Sequence, residues 1–447
     1  MHQAGAFEPH VIFGLSPLWV STIVLIAVYG VIMSDRLNRA IVALLGAGLL
    51  IVIGPLDQIE AIKGVDFNTI ALLTGMMILV GITRQCGVFQ AVAIWSVRQA
   101  RAEPWGILLM LQITTAVVSA LLDNVTTVLL IVPVTLAITR ELEVPPYPFL
   151  FAEVFASNIG GTATLIGDPP NILIGSMVGL TFNDFVIHLT PVIIVVMAAQ
   201  AVMIHFMWGR SMRTTPEHQA RVLAMKESDA ITDWTLLKQS SAVVAIVILA
   251  FVFAKPLHLE PGSIAMLGAA VLMMLENYTH HAEKQTENVV RTFNEVEWVT
   301  IFFFVGLFMV VHGVEVAGLL NWLADLLLKA TGGDLKITTL SILWASAVLS
   351  AIIDNIPFVA TMIPLIKAMA PAFGGEQGLM PLWWALSLGA CLGGNGTLVG
   401  ASANLTVAGL AERAGVRFSF LEYTKTAFPL MLVSVAISHA YVWWRYL

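Results

Sequence analysis

Two acid–amide pairs, Asp123-Asn124 and Asp354-Asn355, stand inside otherwise apolar stretches, and Asp168 opens the run Asp168-Pro169-Pro170-Asn171. An ionisable group at membrane depth is expensive and marks function by default. A carboxyl placed there binds a cation when ionised and carries a proton when neutral. Asp and Asn also cap helix N-termini through their side-chain oxygens, and capping alone is the structural alternative. Ser or Asn would cap equally well without a titrating group. Asp123, Asp354 and Asp168 are therefore assigned to proton or cation coupling. Amides, hydroxyls and glycines surround them in two stretches. Asn124, Asn158, Gly160, Gly161, Thr162, Thr164 and Asn171 belong to the first. Asn355, Asn395, Thr397, Ser402 and Asn404 belong to the second. These are the expected substrate-binding residues.

The two stretches are copies. Ser119-Ala120-Leu121-Leu122-Asp123-Asn124 returns 231 positions later as Ser350-Ala351-Ile352-Ile353-Asp354-Asn355. After a slip of two residues, Gly160–Asn171 returns as Gly393–Asn404 with six of twelve positions identical. One difference is informative: Asp168 corresponds to Ala401, so the site should be asymmetric. Paired halves with Gly/Pro-interrupted hydrophobic segments in matching places mark secondary transporters.

Elements must hold these groups inside a membrane. Hydrophobic residues make up 58% of the chain and charged ones 11%, against roughly 25% charged in soluble domains. Spans are expected near 18–33, 40–54, 67–84, 148–176, 189–208, 239–254, 262–276, 297–313, 382–411 and 425–444. Segments 105–139 and 338–369 are too long for one crossing and are broken by the Asp-Asn pairs, so both read as re-entrant hairpins. A turn at depth leaves backbone groups that hydrocarbon cannot satisfy, and it must be buried in protein or line a wet cavity. Gly160-Gly161 and Gly167-Asp168-Pro169-Pro170 should unwind 148–176, as Gly393–Gly400 should unwind 382–411; close glycine packing is the alternative. The expected fold is an all-α integral membrane protein with about ten transmembrane helices, two re-entrant hairpins and unwound helices at the midplane.

Residues 18–208 form the first repeat, 209–238 a cytoplasmic linker and 239–444 the second repeat. Residues 1–17 hold no Lys or Arg, so no cleavable signal is expected. With the N-terminus outside and both hairpins re-entrant, 16 of the 22 Lys and Arg residues fall on the inner face, as the positive-inside rule requires. Five spans per half invert the repeat. Cys86 and Cys391 have no metal-ligand spacing and read as packing residues. His280-His281 reads as a solvated pair, Glu153 as a residue near the cytoplasmic interface, and His312 as a hydrogen-bonded packing residue. No cofactor, metal or nucleic-acid partner is expected.

On the two Asp-Asn tips and the Gly-Asp-Pro-Pro-Asn segment, the chain resembles the arsenical-pump permeases of the ion-transporter superfamily, close to the P-protein branch. The resemblance covers essentially the whole length. It implies a scaffold with a moving transport domain, frequently dimeric, in the cytoplasmic membrane. The dicarboxylate symporters of the superfamily carry Ser-Asn-Thr at the hairpin tips, which this sequence lacks.

No Lys or Arg falls within 119–127, 156–172, 350–358 or 391–404. A free multivalent anion would meet repulsion there, whereas a neutral hydroxide of arsenic or antimony suits amides and hydroxyls. The expected function is export of arsenite or antimonite in exchange for protons. Membrane lipid is the expected surround, with a homodimer and a soluble ATPase subunit left open as partners. A sodium/proton antiporter or another anion or carboxylate transporter of the superfamily is the alternative, and vesicle assays discriminate them. A channel would show uncoupled flux. An intramembrane aspartyl protease needs Gly-x-Gly-Asp, where Leu165 stands in place of the first glycine.

Overall fold

The computed structural model describes residue 9 and residues 11–34 and 36–447. Residues 1–8, on which part of the signal-peptide reading rests, lie outside the described residues. Every regular element among the described residues is helical. The spanning and re-entrant segments run in chain order as α1 (Pro17–Met33), α2 (Arg39–Ile53), α3 (Phe67–Arg84), α4 (Pro104–Leu121), α5 (Asn124–Glu141), α6 (Tyr147–Thr162), α7 (Pro169–Val178) and α8 (Phe182–Ile204). The second half continues with α9 (Trp234–Val252), α10 (Pro261–Asn277), α11 (Trp298–Val316), α12 (Leu335–Ile352), α13 (Asn355–Ala368), α14 (Met380–Gly393), α15 (Ser402–Arg413) and α16 (Phe420–Tyr446). Eight helices are at least 18 residues long and apolar enough to cross a membrane. Apolar side chains such as Val117, Ile194, Ile246 and Phe302 are exposed on them, as a lipid-facing surface requires.

Helix starts follow from local chemistry. Asp123 accepts from the Thr126 amide at 2.8 Å and starts α5; Asp354 accepts from the Ile356 amide at 3.1 Å and starts α13. Each therefore caps its helix as well as carrying a carboxyl. The polar linker is partly helical, with Pro216–Leu223 and Glu227–Ala230, and the loop carrying exposed His280 and His281 contains Ala282–Asn294. These amphipathic pieces lack the apolar run that marks a span, so hydrophobicity alone passes over them.

The halves are clasped rather than side by side: α2 packs on α11 and α3 on α10. A methyl on Gly75 would lie 2.6 Å from the Ala265 backbone, and one on Gly306 would lie 2.6 Å from the Ala43 backbone. The same reciprocity holds at the helix ends. Gly64 faces His312, while its repeat mate Glu295 faces Gly81, the repeat mate of His312. Within each half the hairpin grips the broken helix identically. Ser119 Oγ donates to the Ser157 carbonyl and Ser350 Oγ to the Ala390 carbonyl, both at 2.6 Å.

Candidate transport site

The two broken helices unwind over 163–168, between α6 and α7, and over 394–401, between α14 and α15. Both breaks are buried apart from the Val399 side chain. Their freed backbone groups need partners, and the neighbouring side chains supply them. Thr164 Oγ1 donates to the Ala120 carbonyl at 2.5 Å and Thr397 Oγ1 to the Ala351 carbonyl at 2.6 Å. Asn171 Nδ2 donates to the carbonyls of Thr162 and Thr164 at 3.0 and 2.9 Å. Asn404 Nδ2 does the same for Gly394 and Thr397, at 2.8 Å each. Thr162 Oγ1 is spent on the Asn158 carbonyl at 2.7 Å.

Asn158 ties the halves together. Its Oδ1 accepts from Asn124 Nδ2 at 3.0 Å, and its own Nδ2 donates to Asn395 Oδ1 and Asn404 Oδ1 at 2.9 Å each. Asn124 Nδ2 also reaches Asp168 Oδ1 at 3.3 Å. Asp168 is fully buried, and its Oδ2 has no partner; neither does Asn395 Nδ2.

Beside this amide cluster lies a cavity of about 30 Å³, lined by Arg39, Leu73, Met77, Asp123, Asn124, Val125, Asp168, Pro169, Glu297, Thr300, Asn355, Ile356 and Ser402. Both hairpin tips reach it, through Asn124 and Asn355. That volume suits a water or a bare ion. A larger groove of about 450 Å³ lies among loops and helix ends, lined by groups such as Asp233, Glu276, Lys284 and Arg291. It is remote from both repeats' breaks.

Of the expected site residues, Asp123, Asn124, Asp168, Asn355 and Ser402 line the small cavity. Asp354 joins it through Arg39 and Ser402. Gly160, Gly161, Thr162, Thr164, Asn171, Asn158, Asn395, Thr397 and Asn404 stand behind it, outside the lining. The glycines there are packing residues: a methyl on Gly160 would lie 2.2 Å from the Ala116 carbonyl oxygen, and one on Gly161 would lie 2.4 Å from that of Gly167.

The residue that sequence reasoning missed is Arg39. Its guanidinium meets Asp354 Oδ2 at 3.1 Å, Ser402 Oγ at 2.8 Å and Thr300 Oγ1 at 3.1 Å. It also lies over the Phe303 ring, 5.1 Å from the centroid. The expectation that an anion would meet only repulsion there therefore lacks a cation that the structure supplies. The site segments hold no Lys or Arg of their own, but α2 delivers one from outside them. One signal was available. Arg39 is the first residue of α2 after the Asn38 cap, where the helix dipole disfavours positive charge, so it needs a partner elsewhere. Glu297 and Thr300 were equally traceable as the repeat mates of the α3 cap, Asp66 and Thr69.

Amides, carboxyls and one arginine thus meet where α2, α3 and α11 face the hairpin tips and broken helices. Known proteins supply the family. A family profile described as citrate transporter matches residues 29–389. An uncharacterized transporter of Mycobacterium tuberculosis is 43% identical over 96% of this chain and 98% of its own length. The human P protein is 33% identical over 95% of this chain and 59% of its own length. The crystal structure of the YdaH transporter of Alcanivorax borkumensis superposes with a TM-score of 0.57 over 97% of this chain and 99% of its own, at 12% identity, a likeness of fold. The superfamily expected from the Asp-Asn tips is the one found, and the family description names citrate rather than arsenicals. The chain belongs to the citrate transporter family of the ion-transporter superfamily and is a multi-pass membrane transporter, not an enzyme.

Proposed function

We propose that the protein is a proton-coupled carrier of a small carboxylate or comparable oxyanion, working in the cytoplasmic membrane with its N-terminus outside. The observation that carries this reading is Arg39, held at the cavity by Asp354, Ser402 and Thr300. A guanidinium presents its donors in a planar fork that matches a carboxylate. Here Asp354 and Ser402 share one terminal nitrogen of the fork and Thr300 takes the other. Substrate anion and ionised Asp354 therefore compete for one cation, and a proton on Asp354 removes the competitor. Anion and proton favour each other's binding, which is the thermodynamic requirement for moving them together. The present cavity, about 30 Å³, holds no organic anion. Loading therefore requires the hairpins and broken helices to part from α2, α3 and α11.

The reading of a neutral metalloid hydroxide loses its premise once a cation stands in the site. The surplus of carboxyls, Asp123, Asp168 and Glu297 beside Arg39, keeps sodium/proton exchange as the rival. Purified protein in liposomes separates them. Acid-driven uptake of labelled citrate or a smaller carboxylate, abolished by Arg39→Ala, is the expected result. Flux of arsenite or sodium with no carboxylate movement would overturn it. Light scattering on the same preparation reads the homodimer. Transport in the absence of ATP and any second protein excludes an obligatory ATPase subunit.

A further inference from the structure

The first hairpin and α6 carry buried polar groups that the cavity does not use. Glu153 is 1% exposed; one carboxyl oxygen accepts from Thr135 Oγ1 on α5, and Oε2 has no partner. Gln112 on α4 is fully buried, and neither of its amide atoms has a partner. The hydroxyls of Thr115 and Thr127 are in the same condition. A buried donor or acceptor left unpaired forfeits its hydration with nothing in return. Several within three mutually packed helices require an explanation, and ordered water is the usual one.

Helix register brings the groups together. Gly160 lies against Ala116 and Thr164 bonds to the Ala120 carbonyl, so α4 and α6 run side by side in the same direction. Counted back from that contact, Gln112 lies one turn away on α4 and Glu153 two turns away on α6, about 4.5 Å apart along the shared axis. Thr127 and Thr135, eight residues apart, share one side of α5. Asn158 follows Glu153 by five residues on α6, about 7.5 Å along the axis, and bonds to Asn124, which bonds to Asp168.

The repeat supplies an internal control. Gln112, Thr127, Thr135 and Glu153 correspond to Leu343, Phe358, Ile366 and Leu386 of the second half. Leu343, Ile366 and Leu386 are fully buried, so the same fold packs well with hydrocarbon at those levels. Only Thr115 keeps a polar mate, Ser346, also unpartnered. Packing does not call for the polarity of the first half.

We infer that Glu153 is an internal proton-holding site on a hydrated seam inside the first hairpin, connecting the cytoplasmic side to Asn124 and Asp168. In each transfer one O–H bond breaks and one forms. A hydronium at the cytoplasmic end protonates the Glu153 carboxylate, the proton passes to a seam water, and that water protonates the Asp168 carboxylate. The titratable and charged groups on the packed elements make no hydrogen bond or ion pair with it among the described residues. His205 follows α8 and meets Trp105 edge-on; Arg140 and Glu141 end α5, Glu412 and Arg413 end α15, Tyr147 opens α6, Tyr423 lies on α16 and Cys391 on α14. Thr135 is the hydrogen-bond partner of Glu153 among the described residues.

This inference rests on the proton-coupled reading, so its test includes a readout independent of transport. Infrared difference spectra of the purified full chain, wild type against Glu153→Gln, isolate the Glu153 carboxyl band. The expected result is a protonated-carboxyl band that shifts promptly in heavy water, with the shift slowed on the order of a hundredfold in Gln112→Leu/Thr127→Phe. In liposomes, Glu153→Gln should reduce acid-driven uptake while leaving substrate counterflow unchanged. A band that does not shift, or shifts equally fast in the double variant, overturns the seam. A shifting band in a protein whose transport ignores pH upholds the seam and refutes proton coupling of the carrier.

Discussion

Arg39 and Asp354 set the chemistry at the residue scale. Arg39→Lys keeps the charge and loses the fork, so transport should survive with weakened substrate affinity, whereas Arg39→Ala should abolish it. Removing the cation leaves Asp354 with Ser402 and the Ile356 amide it caps, and the hydrogen bonds lost with it are worth about 1.5–3 kcal/mol apiece. Thermal unfolding of the purified variants reads that loss. Asp354→Asn imitates the protonated carboxyl while keeping a capping oxygen for α13. Wild-type anion affinity should rise on acidification if proton and anion travel together, as proposed above. In Asp354→Asn it should be high at neutral pH and flat across that range, and calorimetric titration at several pH values checks this. An affinity that still climbs on acidification in the variant would place the coupling proton elsewhere, with Asp123 and Asp168 the next carboxyls to substitute.

Unwound helices must satisfy their own backbone, and this decides the element scale. Asn171 and Asn404 each bridge two carbonyls of a break. Replacing either by Ala should destabilise the protein by about 1–3 kcal/mol per orphaned group, read as a lower unfolding temperature. The loss should appear before any change in substrate affinity. Gly160→Ala and Gly393→Ala push a methyl into the Ala116 and Ala347 backbones, and overpacking of this kind costs about 1–3 kcal/mol.

The hairpins and breaks were legible in sequence because their signals are local: an Asp-Asn pair inside an apolar stretch, and clustered Gly and Pro. The division of labour within the site was not. Whether an asparagine faces a cavity or a neighbouring carbonyl depends on helix rotation, which residue type does not encode. Arg39 and Asp354 are 315 positions apart, and no local pattern joins them.

At the scale of the whole molecule, the cavity is divided between bodies that must separate. Arg39, Leu73, Met77, Glu297 and Thr300 belong to α2, α3 and α11 and their flanks, while Asp123, Asn124, Asp168, Asn355 and Ser402 belong to the hairpins and broken helices. Asn68 on α3 meets Ser176 on α7 at 2.8 Å, away from the cavity lining. With Cys86 and Cys391 replaced, the oxidised Asn68→Cys/Ser176→Cys pair should arrest turnover, and reduction should restore that variant's own activity. Full activity in the linked state would mean that α3 and α7 travel together.

The clasp between halves also constrains how the protein is made. When the first half leaves the ribosome, the faces of α2 and α3 that will meet α11 and α10 are still bare, including the flat strip at Gly75. Those faces wait in the bilayer until the chain beyond residue 261 is inserted. Maturation is therefore an assembly of two partners that happen to share a peptide bond. Cut within the linker, between Arg213 and Pro216, the two fragments should find each other when co-expressed and co-purify as an active pair, while either one alone is degraded.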